Sequence, residues 1–273
     1  MTSVGCRLIP TTELEFLGIV IDSVRMELRM SDVRLNAVKA ELNSWLERRA
    51  GTKREMLSLI GKLVFLCRVI KPGRIFMRRL ITLATKAKKL HHRILLSKEA
   101  RGDIVWWTRC ADQWNGRSVF YEDRWSTSVD LELYSDASGL GIGAVFGRRW
   151  MSMPFTEPQK HYSIAWRELY AVLAACATWG RFLTGSRVLI FCDNSSVVSI
   201  VNTGASRCSH VMSLVRALFD VCVYHDFDVR LRHVPGVENV AADRLSRLDF
   251  IGFKSLFAGA YDCRPTECVL GQV

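Results

Sequence analysis

The stretch L-E-L-Y-S-D-A-S-G-L-G-I-G-A-V-F-G, residues 131–147, decides the fold of the second half of the chain. Two short apolar runs, around Leu133 and Val145, are joined by serine and glycine, which is the pattern of two strands with a tight connection. The run R-R-W-M-S-M-P-F at 148–155 follows directly and is a third strand candidate. Three short strands in this order predict an antiparallel meander.

The residues after the meander alternate between helical and strand patterns. Apolar residues at helical spacing predict four helices, at 164–183, 194–201, 209–224 and 239–248. Two apolar runs are typical of buried strands, R-V-L-I-F-C-D at 187–193 and F-D-V-R-L-R-H-V at 227–234. The order βββ-α-β-α-α-β-α predicts an α/β fold with one mixed, five-stranded sheet flanked by helices. Residues 250–273 are predicted to be a tail.

The first part of the chain has a different pattern. Residues 14–30 predict a β-hairpin that turns at Asp22–Ser23, and basic helices are predicted after it, with a capping-box signature at Thr52 and Glu55. Residues 31–117 hold 20 Lys+Arg and 7 Asp+Glu, a net charge of +13 in a chain whose total is +11. Because the positive charge is confined to one segment, we expect a polyanion such as nucleic acid as its partner, rather than solvated helix faces alone.

Composition excludes several classes of protein. No apolar run is long enough to cross a bilayer, and the N-terminus M-T-S-V-G-C-R-L-I-P is not that of a secretory signal. The nine cysteines form no C-x-x-C pair, which argues against a disulfide framework and against a zinc site. We therefore expect an intracellular protein, in the cytoplasm or nucleus, without a membrane partner.

Four carboxylates are the candidate catalytic and metal-binding residues. Asp136 and Asp193 end predicted strands, whereas Glu168 and Asp243 lie on predicted helices. Clustered carboxylates repel one another and favour a hard cation, so the expected cofactor is Mg²⁺, with Mn²⁺ as a substitute. Two such ions about 3.5–4 Å apart can activate a water and stabilise the leaving oxygen of a phosphodiester.

Each of these acids alone has a simpler interpretation. Asp136 could form a turn, Asp193 could cap the next helix, and Glu168 could pair with a surface cation. Asp243 could be an exposed helical acid. Their joint placement, two at strand ends and two on helices, favours the metal site.

The segments that carry these acids resemble those of a known family. The segments Y-S-D-A-S-G-L-G-I-G-A-V-F, W-R-E-L-Y-A-V-L-A-A, I-F-C-D-N-S-S-V-V-S-I-V and H-V-P-G-V-E-N-V-A-A-D-R-L-S-R are similar to the four acidic motifs of the RNase H domain of retroelement polyproteins, gypsy-like or DIRS-like. The resemblance covers residues 131–248. It implies an RNase H-like fold over 130–249 and a two-metal endonuclease that cuts the RNA strand of RNA–DNA hybrids during reverse transcription.

The resemblance extends upstream of the four motifs. Residues 1–30 are similar to the end of a reverse-transcriptase palm with a primer-grip-like hairpin, and residues 31–117 to a thumb and connection. Residues 118–129 would then be a linker. Because no pair of polymerase aspartates is found, no polymerase activity is expected, and the chain would be part of a longer reverse-transcriptase polyprotein or a truncated copy.

A histidine is missing from the expected position. Cellular RNases H carry a catalytic histidine in a longer loop before the last helix, whereas the loop here is only 234–239. His233 precedes that loop and is interpreted as a strand residue. Ser138, Gly139 and Asn194 flank the acids and are candidate contacts to the hybrid's backbone or 2′-hydroxyls.

Two other functions stay open at this point. The chain could be an inactive remnant that only binds primer–template through its basic helices. It could also be an RNase H-like transposase or integrase, although an acidic triad of that class usually ends in glutamate rather than in a residue like Asp243.

Overall fold

The computed structural model describes residues 10–114, 118–119, 125 and 132–257. The chain divides into two compact units, residues 1–120 and 121–273. Within the described residues, no helix is both long enough and apolar enough to span a membrane.

The first unit begins with three short strands instead of the predicted hairpin. Strands β1 (Glu13–Phe16), β2 (Ile19–Asp22) and β3 (Glu27–Met30) pair antiparallel in chain order, and β6 (Ser118–Val119) pairs with β3. The apolar run L-E-F-L-G-I-V-I is therefore not one strand. It turns at Leu17 and Gly18, which both have positive φ, of 52° and 84°. The one predicted turn, at Asp22–Ser23, is present, and there Asp22 Oδ1 accepts from the backbone N–H groups of residues 24 and 25.

Helices make up most of the first unit, as predicted. They are α1 (Asp32–Glu47), α2 (Lys53–Leu66), a 3₁₀ helix (Lys71–Met77), α3 (Arg78–Lys86) and α4 (Lys98–Trp114). The capping box is confirmed, because Thr52 Oγ1 accepts from the Glu55 backbone N–H while the Glu55 carboxylate accepts from the Thr52 N–H. The basic helix predicted at about 74–90 is divided, because its first residues lie in the 3₁₀ helix that begins at Lys71–Pro72, ahead of α3. A two-stranded ladder of β4 (Ala50–Thr52) and β5 (Arg93–Leu95) was not predicted.

The second unit contains the predicted mixed sheet. Its strands are β7 (Leu133–Ala137), β8 (Gly141–Phe146), β9 (Arg149–Pro154), β10 (Arg187–Cys192) and β11 (Asp228–His233). Their order across the sheet is β11-β10-β7-β8-β9. Strands β7, β8 and β9 are the antiparallel meander, and β10 lies parallel to both β7 and β11. The fold-class prediction is therefore confirmed.

Helices flank this sheet. They are α5 (Glu157–Lys160), α6 (Ile164–Leu183), α7 (Ser195–Thr203), α8 (Ser209–His225), α9 (Val240–Ser246) and α10 (Phe250–Phe257). Every residue of α6 from Glu168 to Cys176 is buried, so this helix is the centre of the core. Helix α10 corrects the prediction of a tail from residue 250. Phe253 is fully buried against Trp150 and Leu245, and the apolar pattern of α10 is too short to predict a helix reliably.

Candidate metal centre

Two of the four acids meet at one edge of the sheet because their strands are parallel neighbours. Asp136 is the penultimate residue of β7, and Asp193 follows the last residue of β10. The register pairs Ser135 with Cys192, so the next residue on each strand is one of the two acids. Asp136 is 4% exposed, which is unusual for a carboxylate without a cation beside it.

Glu168 approaches from the second turn of α6. Its side chain is 4% exposed and accepts a hydrogen bond from the Ala137 backbone, at the end of β7. Its other oxygen, Oε2, is buried and has no hydrogen-bond partner among the described residues. The neighbouring Arg167 donates to the Ser138 carbonyl oxygen at 2.9 Å, which ties this turn of α6 to the loop after β7.

Asp243 comes from α9, which packs closely on the sheet. A Cβ atom at Gly143 on β8 would lie 2.4 Å from Ala242 O and 2.5 Å from Ser246 N, so only glycine permits this approach. The hydroxyls of Ser138 and Ser152 donate to the main-chain oxygens of Ser246 and Leu245, each at 2.7 Å. These contacts hold the helix backbone in place and so fix the position of Asp243.

The four acids are close enough to affect one another's ionisation. Burial raises the pKa of Asp136 to about 6, with further contributions from Asp193 and Asp243. Burial, and then the charges of Asp136 and Asp193, raise the pKa of Glu168 to about 9. Burial and Asp243 also raise the pKa of Asp193. The second unit thus concentrates negative charge in a place where solvent does little to screen it.

The only described cation paired with one of these acids is Arg247. Its Nε donates to Asp243 Oδ1 at 2.7 Å, and its side chain is 61% exposed. An exposed arginine on one acid leaves most of the charge on the buried acids uncompensated. The unpaired Glu168 Oε2 and the oxygen-only donors of the four acids fit a hard divalent cation.

Stability without a divalent cation is expected to fall as pH rises. Asp136 and Glu168 have folded-state pKa values above their ordinary values of 3.8 and 4.5. Protonation of these two acids therefore stabilises the folded state. This stabilisation is fully present below about pH 4 and is lost as pH rises through their folded-state pKa values. In chelator, the melting temperature of the second unit should drop by roughly 5 °C or more between about pH 5 and pH 9.

The matched control for this pH dependence is Glu168→Gln, which cannot ionise at this position. Its melting temperature should change much less over the same range, because the group with the most strongly raised pKa has been removed. Adding Mg²⁺ should raise the melting temperature of the wild-type protein most at high pH, where the acids are ionised. Equal pH profiles for the two proteins would contradict this account of the centre.

The three predicted substrate contacts lie beside the acids, and their contact with substrate stays a prediction. The Ser138 hydroxyl donates to Ser246 O and accepts from the N–H groups of Leu140 and Gly141, so it holds the loop together. Gly139 is exposed. Asn194 caps α7 through Oδ1, and its amide nitrogen has no hydrogen-bond partner in the part of the chain described.

His233 lies on β11, as interpreted from the sequence. Its Nε2 is 3.0 Å from the main-chain oxygen of Asp193, so the ring contacts the backbone of an acid rather than its carboxylate. The loop after it is indeed short and passes the same acid, because a Cβ at Gly236 would lie 3.4 Å from Asp193 Oδ2.

Sequence reasoning missed two residues at this centre. Asn239 is 1% exposed and donates from Nδ2 to Ser135 O at 3.1 Å, which fixes the start of α9 to β7. Cys192 is fully buried, and its Sγ lies within 4.8 Å of a carboxylate oxygen of both Glu168 and Asp193. Its position directly before Asp193 was the available signal, but scattered cysteines gave no reason to single it out.

Comparisons with known proteins show what the second half of the chain is similar to. Residues 126–218 match the family described as the RNase H-like domain found in reverse transcriptase. Over 126 residues, the chain is 31% identical to the retrovirus-related Pol polyprotein from transposon gypsy of Drosophila melanogaster. That match covers 43% of this chain and only 11% of the polyprotein. The family match ends at residue 218, before Asp243.

Solved structures that are similar to part of this chain include an archaeal RNase H1 and a viral reverse transcriptase. RNase H1 from the halophilic archaeon Halobacterium salinarum is 16% identical, with a TM-score of 0.33, and the match covers 43% of this chain and 97% of that one. The foamy viral protease-reverse transcriptase in complex with RNA/DNA hybrid is 12% identical, with a TM-score of 0.34, and the match covers 87% and 52%.

Proposed function

We propose that this chain is a metal-dependent endonuclease that hydrolyses the RNA strand of RNA–DNA hybrids. The premise is that the chain carries an RNase H-like domain of the reverse-transcriptase type and is related to retroelement polyproteins. The observation that carries the proposal is the meeting of Asp136, Glu168, Asp193 and Asp243 at one edge of the sheet, with raised pKa values for three of them. Carboxylates whose pKa values are raised by burial and by one another are candidates for a functional site.

The four acids would hold two Mg²⁺ ions, for which Mn²⁺ could substitute. When bound, the metal supplies an activated water and stabilises the leaving oxygen of the phosphodiester. The acids themselves would bind the cations, and Glu168 would do so from a buried position on α6. Asn239 and Ser138 act indirectly, because they hold β7 and α9 at the spacing that the acids require.

The basic first unit is proposed to bind the phosphate backbone of the hybrid or of primer–template. Residues 71–89 contain seven Lys+Arg and no Asp or Glu. Most of these side chains are exposed, and of the seven only Arg79 forms a salt bridge within the described part of the chain, to Asp103. Exposed cations without acidic partners release counterions from nucleic acid on binding, so the interaction should weaken with salt.

A cleavage assay tests the proposed function. The full chain is mixed with an RNA–DNA hybrid labelled on both strands, and with RNA and DNA duplexes of the same sequence, in Mg²⁺, Mn²⁺ or chelator. We expect shortened RNA from the hybrid alone, intact DNA, and no product in chelator. If the protein binds the hybrid but leaves it intact at every Mg²⁺ and Mn²⁺ concentration, the nuclease proposal is wrong and the chain only binds nucleic acid.

A further inference from the structure

Cys192 places a sulfur atom beside the metal centre. This thiol is not one of the four acids from which the centre was inferred. The side chains of Glu168, Cys192 and Asp193 each offer one ligand atom, and these three atoms lie within 4.8 Å of one another. Among the described residues, no other group of three His, Cys, Asp or Glu side chains has its ligand atoms this close together. The thiol is thus one member of a preformed set of three ligands.

The sheet geometry explains why the thiol faces Glu168. Side chains alternate along a strand, so Cys192 and Phe191 point to opposite faces of the sheet. Phe191 stacks on Tyr134 with ring centroids 4.7 Å apart, whereas Cys192 is paired in register with Ser135. The thiol therefore lies on the face covered by α6, the helix that carries Glu168.

Two buried oxygen atoms on this face have no hydrogen-bond partner among the described residues. They are Glu168 Oε2 and Ser135 Oγ, and their residues are 4% and 0% exposed. An unpaired buried polar atom is costly unless something compensates it. The unpaired carboxylate oxygen is independent of the thiol, and it also indicates that a cation belongs here.

We propose that Glu168, Cys192 and Asp193 form a binding site for a thiophilic divalent cation such as Zn²⁺ or Cd²⁺. This site shares Glu168 and Asp193 with the proposed magnesium centre but prefers a different kind of metal. Thiolate sulfur favours these cations, whereas Mg²⁺ favours oxygen. Three protein ligands leave a fourth position for water, which is a common arrangement for zinc. On binding, the thiol S–H bond breaks, the metal–sulfur bond forms and the proton leaves to solvent.

Sharing of ligands makes the two kinds of metal mutually exclusive. A thiophilic cation on Glu168 and Asp193 removes two of the four acids from magnesium binding. Zn²⁺ should therefore inhibit the Mg²⁺-dependent cleavage. The inhibition rests on the proposed nuclease function, but the binding of the thiophilic cation does not.

The binding test uses Cd²⁺ with the reduced, metal-free full chain. Cadmium bound to thiolate has an ultraviolet charge-transfer band that reports the metal–sulfur bond directly. We expect Cys192→Ser to lose the part of this absorbance that corresponds to one bound cadmium ion. Cys208→Ser, which changes an exposed cysteine, should keep it. If the serine variant does not fold, Cys192→Ala keeps the strand apolar. A band of equal size in the wild-type protein and in a folded Cys192 variant would overturn the proposal.

The inhibition test measures hybrid cleavage in Mg²⁺ with increasing Zn²⁺. We expect the Zn²⁺ concentration for half inhibition to be at least about tenfold higher for Cys192→Ser than for wild type, because the variant lacks one of the three metal ligands. Equal inhibition of both proteins would overturn the shared site. A wild-type chain that shows the Cys192-dependent cadmium band but cuts no hybrid would support the metal site and contradict only the nuclease function.

Discussion

Asp193→Asn should reduce cleavage of the hybrid by about a thousandfold or more, since it removes charge from the metal centre without changing the shape of the side chain. Folding should not suffer. Burial and the charge of Asp243 raise the pKa of Asp193, so its ionised form is unfavourable in the absence of metal. The melting temperature in chelator should therefore be equal to, or higher than, that of the wild-type protein.

The matched control is Glu157→Gln, the same change of a carboxylate to an amide at an exposed position on α5. It should leave the cleavage rate unchanged. Hybrid binding by Asp193→Asn, measured in chelator, should also equal that of wild type, because the basic first unit is intact. Undiminished cleavage by a folded Asp193→Asn protein would remove Asp193 from the proposed centre.

Gly143→Ala should destabilise the second unit and impair cleavage together. The added methyl group would meet Ala242 O at 2.4 Å and Ser246 N at 2.5 Å, and both are backbone atoms that cannot rotate away. Helix α9 must therefore shift, and Asp243 shifts with it. Overpacking of this kind costs about 1–3 kcal/mol, and we expect the upper end because no side chain can give way.

Chemical denaturation and the cleavage assay measure the two effects of Gly143→Ala. For stability, the control is Gly139→Ala, where the nearest atom to an added Cβ is Arg167 Nη1 at 3.8 Å, an ordinary contact. For cleavage, the control is Gly102→Ala on α4, where no atom lies within 4 Å. A Gly143→Ala protein as stable and active as wild type would show that α9 does not depend on this close approach.

The sheet and the candidate acids could be predicted from sequence because both depend on local patterns. Short apolar runs separated by glycine give strands, and an acid at the end of such a run is conspicuous. The turn at Leu17–Gly18 could not be predicted as easily, because leucine rarely adopts a positive φ and the run around it is largely apolar. The Ser31 backbone N–H donates to Gly18 O at 3.0 Å and so links this turn to the residue before α1.

Cys192 shows a different limit of sequence reasoning. Its importance depends on the register of β10 against β7 and on the side of the sheet that α6 covers. Neither can be read from the order of residues along one strand. The same is true of Asn239, whose partner, Ser135 O, is 104 residues away in the chain.

Helix α9 has a consequence for the order in which the chain folds. It has seven residues, fewer than two turns, and a helix so short is not stable by itself in water. Its backbone is held by Ser138 and Ser152, which belong to a meander made about a hundred residues earlier. Asp243 can thus join the other three acids only when the sheet is already assembled. During synthesis, the fourth acid would arrive last, and the proposed metal centre would be incomplete until this unit has folded.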